Sequence, residues 1–154
     1  MPLSLSFKQR IALLFVCLFL LTVQISGCTR LSNDMEALKQ PAIEFITAEA
    51  LSELTADQNQ LTATHLILDV RTAEEYATGH IPSAINIDYR DISAQIKARS
   101  ATLQAFKTKK VVVYCERGVR ARRAEAALTA AGFQVIRLKG DIREWKAAGL
   151  PIQR

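Results

Sequence analysis

The sequence predicts an α/β domain in which helices flank both faces of a mostly parallel, five-stranded sheet. From residue 43 onward, short segments rich in Val, Ile and Leu alternate with amphipathic segments. Runs of four or five apolar residues are typical of buried parallel strands, and the longer stretches between them are typical of crossover helices. Helices between successive strands imply a parallel sheet. Ligands bind such sheets beyond the carboxyl ends of the strands.

Each predicted element has a local signal in the sequence. Thr47 and Thr72 stand at N-cap positions, and Glu75 completes the spacing of a capping box. The first helix is predicted to place Ala50, Leu51 and Leu54 on its buried face. The five predicted strands are 43–46, 66–70, 84–87, 111–114 and 135–138. The predicted helices are 47–54, a segment from Thr72 to a C-cap at Gly79, 91–98, a short segment before Lys107, 119–131 and 141–148.

A hydrophobic segment near the N-terminus is typical of an export signal. Lys8 and Arg10 precede residues 11–23, which are apolar except for Thr22. As a helix this segment covers about 20 Å, less than the roughly 30 Å of a bilayer core. Its length and positive flank favour the hydrophobic region of a signal peptide, which we expect to cover residues 1–27.

The end of this segment, Ile25-Ser26-Gly27-Cys28, resembles the lipobox of bacterial lipoproteins. The resemblance implies cleavage before Cys28 and lipidation of its thiol, which would anchor the protein to a bilayer. Residues 28–40 are then predicted to form a polar tether, and residues 41–154 are predicted to form the folded domain. Thr29 resembles the residue that permits export to an outer membrane, if the host has one. We expect a lipid-anchored protein facing the periplasm; an ordinary secretory signal or an uncleaved anchor are the alternatives.

Net charge and cysteine content limit the kinds of partner, disulfide and metal site that the sequence can have. The net charge of +5 suggests anionic partners without distinguishing nucleic acid, membrane surface or a small oxyanion. Arg122 and Arg123 could bind nucleic acid, but the cations interleave with acids, which favours a solvated helix face and predicts no nucleic-acid binding. Three cysteines argue against a paired disulfide framework. The histidines and cysteines of the body have no zinc spacing, so no metal site is predicted.

The predicted chemistry centres on Cys115, which follows the strand 111–114 directly. Gly118 permits a tight loop whose amides, with the start of the next helix, favour an anion. Arg117 and Arg120 add positive charge, which favours a thiolate nucleophile and a bound oxyanion. A buried structural thiol is the alternative. The predicted substrate-binding residues are Glu116, Arg117, Gly118, Val119 and Arg120.

Eight short motifs resemble a single-domain rhodanese, the thiosulfate sulfurtransferase family, over residues 43–152. In order they are Asp69-Val70-Arg71, Glu75-Tyr76, Gly79-His80-Ile81-Pro82, Ala84-Ile85-Asn86-Ile87, Val113-Tyr114-Cys115, Gly118-Val119-Arg120, Gly132-Phe133 and Trp145 with Ala148-Gly149-Leu150-Pro151. The resemblance implies that Cys115 takes sulfane sulfur from thiosulfate or a similar anionic donor and passes it to cyanide or a thiol, with no cofactor. At two turns the sequence departs from the family: Asp141 and Ser83 stand where glycines are usual.

Two other classes of protein share parts of this sequence pattern. Cys-based phosphatases and arsenate reductases carry a motif of Cys, five residues and then Arg, in which the Arg binds the oxyanion. Here Ala121 stands at the position of that Arg, and Arg120 comes one place early. Tyr114 replaces the His that usually precedes the phosphatase Cys. A non-enzymatic rhodanese-like interaction module typically lacks the Cys. The presence of Cys115 and the shorter loop favour sulfur transfer.

Other polar residues near these motifs are predicted to support the fold. Asp69 and Arg71 are interpreted as a structural ion pair or loop brace beside the site. His80 could act as a base, but its Gly-His-Ile-Pro turn favours packing or hydrogen bonding. His65 precedes a strand and is predicted to be inert.

Overall fold

The computed structural model of the chain describes residues 43–154. The predicted signal peptide, Cys28, the tether at 28–40 and residues 41–42 of the predicted domain lie outside the described residues. The strands are β1 (Glu44–Ile46), β2 (His65–Asp69), β3 (Ala84–Asn86), β4 (Lys110–Tyr114) and β5 (Gln134–Leu138). The helices are α1 (Ala48–Ala56), α2 (Gln58–Thr64), α3 (Ala73–Thr78), α4 (Ile92–Lys97), α5 (Ala101–Gln104), α6 (Val119–Ala130) and α7 (Asp141–Ala147). Between residues 43 and 154, no helix is both long enough and apolar enough to span a membrane.

The five strands form one parallel sheet in the order β1-β5-β4-β2-β3. The central strand is β4, in which Val113 pairs with Leu68 of β2 and with Arg137 of β5. The parallel register brings the carboxyl ends of β2, β4 and β5 to one edge of the sheet. The predicted five-stranded α/β architecture is confirmed.

Alternation along the central strand gives the sheet two hydrophobic cores. Val112 and Tyr114 belong to one core, and Val111 and Val113 belong to the other. Buried residues of α1, α2 and α7 contribute to the first core, and those of α4, α5 and α6 contribute to the second. Helices therefore cover both faces, as the sequence predicts.

The helix ends follow the predicted signals. The Thr47 hydroxyl accepts a hydrogen bond from the Ala50 N–H at 3.2 Å and caps α1. Thr72 and Glu75 form a reciprocal capping box at the start of α3. Gly79 ends that helix with φ 147°, a backbone conformation that favours glycine.

Two details of the N-terminal half differ from the predictions. Ala50 is exposed, and Ala48 and Leu51 are the buried residues of α1, because a three-residue spacing puts Ala48 on the face of Leu51 whereas Ala50 is rotated away from it. Helix α2 was not predicted. Leu61 is its buried residue, so the segment lacks an apolar stripe, and the Asp57 carboxylate caps its start.

The C-terminal residues return to the turn before β3. His80 and Gln153 exchange backbone hydrogen bonds of 2.9 Å in an isolated antiparallel bridge. The indole N–H of Trp145, which is fully buried, donates to the Pro151 carbonyl at 2.8 Å. These bonds fix the chain end against the domain.

Candidate active site

Cys115 lies at the carboxyl edge of the sheet, between β4 and α6. Its side chain is buried, with the residue 1% exposed. The Gly118 N–H donates a hydrogen bond to the Cys115 Sγ at 3.1 Å, so the loop folds back over the sulfur. Gly118 has φ 85°, in the left-handed region, which is the tight turn that the sequence predicts at this glycine.

A cavity of about 290 Å³ opens beside Cys115. It contains most of the predicted substrate-binding residues, and Gly118, the remaining one, contacts the sulfur directly. Val119 is 60% exposed at this cavity, an unusual position for a large aliphatic side chain. The residues that line the cavity are Glu75, Cys115, Glu116, Arg117, Val119 and Arg120.

Glu75 pairs with Arg120 at the cavity. The Arg120 Nη2 donates to the Glu75 Oε1 at 2.7 Å, and Nη1 donates to Oε2, which makes the contact bidentate. The hydrogen bond from Arg120 lowers the pKa of Glu75 to about 2. The same pairing, with a smaller contribution from Cys115, raises the pKa of Arg120. Glu75 thus holds the guanidinium of Arg120 next to the thiol.

Arg117 is the other loop cation at the cavity. Within the part of the chain that the structure describes, it makes no ion pair. It also lines a neighbouring cavity of about 440 Å³. Because Arg120 is neutralised by a carboxylate, Arg117 is the loop cation whose charge stays available to an anionic ligand.

Asp69 and Arg71 form a buried ion pair beneath the loop, with exposed fractions of 0% and 1%. The Arg71 Nη2 donates to the Asp69 Oδ2 at 2.7 Å and to the Gly79 carbonyl at 2.8 Å. The Arg71 Nη1 lies 3.9 Å from the Glu116 Oε2 in the loop. Arg71 therefore connects the end of β2, the turn at Gly79 and the Cys115 loop.

Tyr114 and His80 take part in packing next to the site. The Tyr114 hydroxyl accepts a hydrogen bond from the Ile81 N–H at 3.2 Å, and burial raises the pKa of Tyr114 far above its usual value. The His80 ring stacks on Tyr76 with centroids 3.7 Å apart, and its Nδ1 lies 3.1 Å from the Tyr76 carbonyl oxygen. His65 lies at the amino end of β2, the opposite edge of the sheet from Cys115.

Asp141 contacts Cys115 directly, although the sequence predicts only a turn there. Its Oδ1 accepts a hydrogen bond from the Cys115 N–H at 2.7 Å, and the residue is 5% exposed. Its backbone has φ 55°, and Ser83 has φ 65°, so both non-glycine departures from the family adopt the left-handed conformation. The signal in the sequence that could have identified this contact is the replacement of the usual glycine by Asp141, which carries a carboxylate.

Comparisons with known proteins agree with the fold. Residues 47–148 match the rhodanese-like domain family. A sulfurtransferase from Allochromatium vinosum is 34% identical over 111 residues, which cover 71% of this chain and 94% of that protein. A crystal structure of a rhodanese-related protein from Thermoplasma volcanium superimposes with a TM-score of 0.56 and 26% identity, covering 71% of this chain and 97% of that one.

A second kind of relative is longer. A tRNA uridine(34) hydroxylase from Buchnera aphidicola is 30% identical over 127 residues, which cover 79% of this chain. The chain spans 39% of the length of that relative. Since the family match extends over most of the described domain, the chain belongs to the rhodanese-like family.

Proposed function

We propose that the protein moves sulfane sulfur from thiosulfate or a similar small anionic donor to cyanide or a thiol, through a persulfide on Cys115. One observation carries the proposal. The Cys115 Sγ accepts a hydrogen bond from the Gly118 N–H inside a cavity lined by Arg117 of the loop and Arg120 in the first turn of α6. That arrangement suits a sulfur nucleophile attacking an anion.

In the first half-reaction, the Cys115 thiolate attacks the sulfane sulfur of thiosulfate. A sulfur–sulfur bond forms between Sγ and the sulfane sulfur, and the bond from the sulfane sulfur to the sulfite sulfur breaks. Sulfite leaves with the bonding electron pair, and the enzyme keeps the persulfide anion. Arg117 and the loop amide of Gly118 reduce the repulsion between the two anions, and the guanidinium of Arg120 supplies hydrogen-bond donors.

In the second half-reaction, the acceptor attacks the outer sulfur of the persulfide. Cyanide becomes thiocyanate, or a thiolate becomes a new persulfide, and Cys115 leaves as the thiolate. Neither half-reaction transfers a proton when both nucleophiles react as anions, so the scheme requires no dedicated general base. The positions of His80 and Tyr114 in packing contacts fit this scheme.

The size and charge of the cavity favour a small anionic donor. Its volume of about 290 Å³ accommodates an ion of thiosulfate's size beside Sγ. Arg117 supplies a charge that no carboxylate of the described residues neutralises. Arg120, held by Glu75, supplies guanidinium donors in a fixed position.

The test is replacement of the nucleophile in the full chain. After incubation with thiosulfate, mass spectrometry should find one added sulfur atom on the peptide that contains Cys115, and Cys115→Ser should abolish both this adduct and thiocyanate formation. Cys17→Ala is the matched control and should leave both unchanged. Circular dichroism should show that Cys115→Ser keeps the fold. Turnover by Cys115→Ser would refute the proposal, and a wild-type protein that takes up no sulfur would favour a non-enzymatic binding module.

We further propose that the protein is exported and held at a membrane by a lipidated Cys28, facing the periplasm. The support is the hydrophobic segment 11–23 behind Lys8 and Arg10, followed by the lipobox-like residues 25–28. In this arrangement residues 28–40 tether the rhodanese domain to the bilayer.

A further inference from the structure

Asp141 has three properties that the sulfur-transfer scheme does not use. Its backbone is left-handed at φ 55°, it is 5% exposed, and its carboxylate accepts a hydrogen bond from the nucleophile's own N–H. A glycine would adopt this backbone conformation without strain, whereas an aspartate holds it at some cost. Strained non-glycine residues cluster at functional sites. The side chain of Asp141 therefore needs an explanation beyond the turn itself.

The start of α7 holds Cys115 at both of its backbone polar groups. The Cys115 N–H donates to the Asp141 Oδ1 at 2.7 Å, and the Ile142 N–H donates to the Cys115 carbonyl at 3.1 Å. The second carboxylate oxygen packs beneath Gly118, where an added Cβ would lie 2.9 Å from the Asp141 Oδ2. One carboxylate thus binds the Cys115 N–H and lies close to Gly118, the residue whose N–H donates to Sγ.

We infer that Asp141 is a positioning residue for sulfur transfer, whose carboxylate fixes the Cys115 backbone so that Sγ stays within hydrogen-bonding distance of the Gly118 N–H. The inference rests on the proposed function. Asp141 acts through the backbone of Cys115 and touches no substrate. Because the Cys115 N–H donates to the Asp141 carboxylate, it does not donate to Sγ or to the bound sulfur donor. The Gly118 N–H makes the hydrogen bond to Sγ instead. A small displacement of a nucleophile has a large effect on rate.

Two substitutions in the full chain separate the effect of the Asp141 carboxylate from the effect of its left-handed backbone. Asp141→Asn keeps a side-chain oxygen for the Cys115 N–H, and asparagine tolerates the left-handed region. Asp141→Gly adopts the turn but loses the acceptor. With thiosulfate as donor, we expect Asp141→Asn to keep kcat within about threefold and Asp141→Gly to lower it between about tenfold and a hundredfold. The KM for thiosulfate should not change, because Arg117 and Arg120 are intact.

Ser83→Gly is the matched control. Ser83 is left-handed at φ 65° and its hydroxyl donates to Gln58, so the change relaxes a similar turn without touching Cys115. It should keep the wild-type kcat. An equal loss in Ser83→Gly and Asp141→Gly, an unchanged kcat in Asp141→Gly, or a raised KM without a change in kcat would each overturn the inference.

Hydrogen exchange of the Cys115 amide supplies a readout that does not depend on turnover. The amide should stay protected in the wild type and in Asp141→Asn, and should lose protection in Asp141→Gly, because its acceptor is gone. If the wild type takes up no sulfur from thiosulfate, the proposed function is wrong, and the exchange rates still decide whether Asp141 holds Cys115. Unchanged protection in Asp141→Gly would contradict the positioning role.

Discussion

Glu75 serves both the fold and the candidate site with one carboxylate. Its Oε2 accepts a hydrogen bond from the Thr72 N–H at 3.1 Å, which completes the capping box of α3. Both of its oxygens also bind the Arg120 guanidinium at the cavity. A carboxylate at the start of one short helix, α3, therefore holds a cation in the first turn of another helix, α6, beside Cys115.

The sequence predicts only the first of these two roles. A capping box is visible because Thr72 and Glu75 are three residues apart, whereas Arg120 follows Glu75 by 45 residues. The contact between Asp141 and Cys115 spans 26 residues and is equally invisible in one sequence. The nucleophile and its loop are contiguous, so the sequence could locate them, but the carboxylates that position the loop come from other elements.

Replacing Glu75 by Gln should make the free energy of unfolding depend less on pH in the acid range. The folded pKa of Glu75, about 2, lies below the usual range for glutamate, so its ion pair stabilises the fold above about pH 4.3 and is lost as the pH falls towards 2. At pH 7 we expect Glu75→Gln to cost about 1 kcal/mol, since the pair is partly exposed. Thermal unfolding of both proteins between pH 7 and pH 2 should show this difference shrinking as the pH falls.

The control for this experiment is Glu53→Gln, which removes an exposed charge from α1 and touches neither Glu75 nor Arg120. Its melting temperature should stay close to that of the wild type at each pH. A difference between the wild type and Glu75→Gln that stays constant down to pH 2 would show that the ion pair with Arg120 does not stabilise the fold.

At the scale of elements, the strands and most helices were predictable because their signals are local. β2, β4 and β5 are short runs that contain mainly apolar residues, and α6 has its small buried residues Ala121 and Ala124 in register with Leu128. The exception is α2, where most positions are polar, so the sequence shows no apolar stripe. Its stabilising contact is the packing of Leu61 against the first core. Tertiary contact stabilises that helix more than its intrinsic preference does.

The N-cap of α3 should contribute measurably to stability. The Thr72 hydroxyl accepts a hydrogen bond from the Glu75 N–H at 3.3 Å, so Thr72→Ala should lower the free energy of unfolding by about 1 kcal/mol. Thr78→Ala, which alters an exposed hydroxyl at the other end of the same helix, should change it by no more than about 0.5 kcal/mol. Urea denaturation of the three proteins provides the comparison; equal losses in the two variants would count against the cap.

At the scale of the whole molecule, the proposed lipid anchor is open to a direct test. In a bacterial host supplied with labelled palmitate, the wild-type chain should be labelled and partition with membranes. Cys28→Ala should accumulate as an unlabelled precursor, because the acceptor thiol is gone. Cys17→Ala, which removes the other cysteine of the N-terminal segment, should behave like the wild type. Unchanged labelling and processing of Cys28→Ala would exclude the lipobox interpretation.

The order of strands in the sheet has a consequence for synthesis. β1 lies at one edge of the sheet, and its neighbour there is β5, with Glu44 paired to Ile136. Among the strands that the structure describes, the first to leave the ribosome therefore waits for the last, and contacts between distant segments form slowly. A nascent chain halted before β5 keeps β1 without its sheet neighbour, so the domain completes its sheet only after β5 has been synthesised.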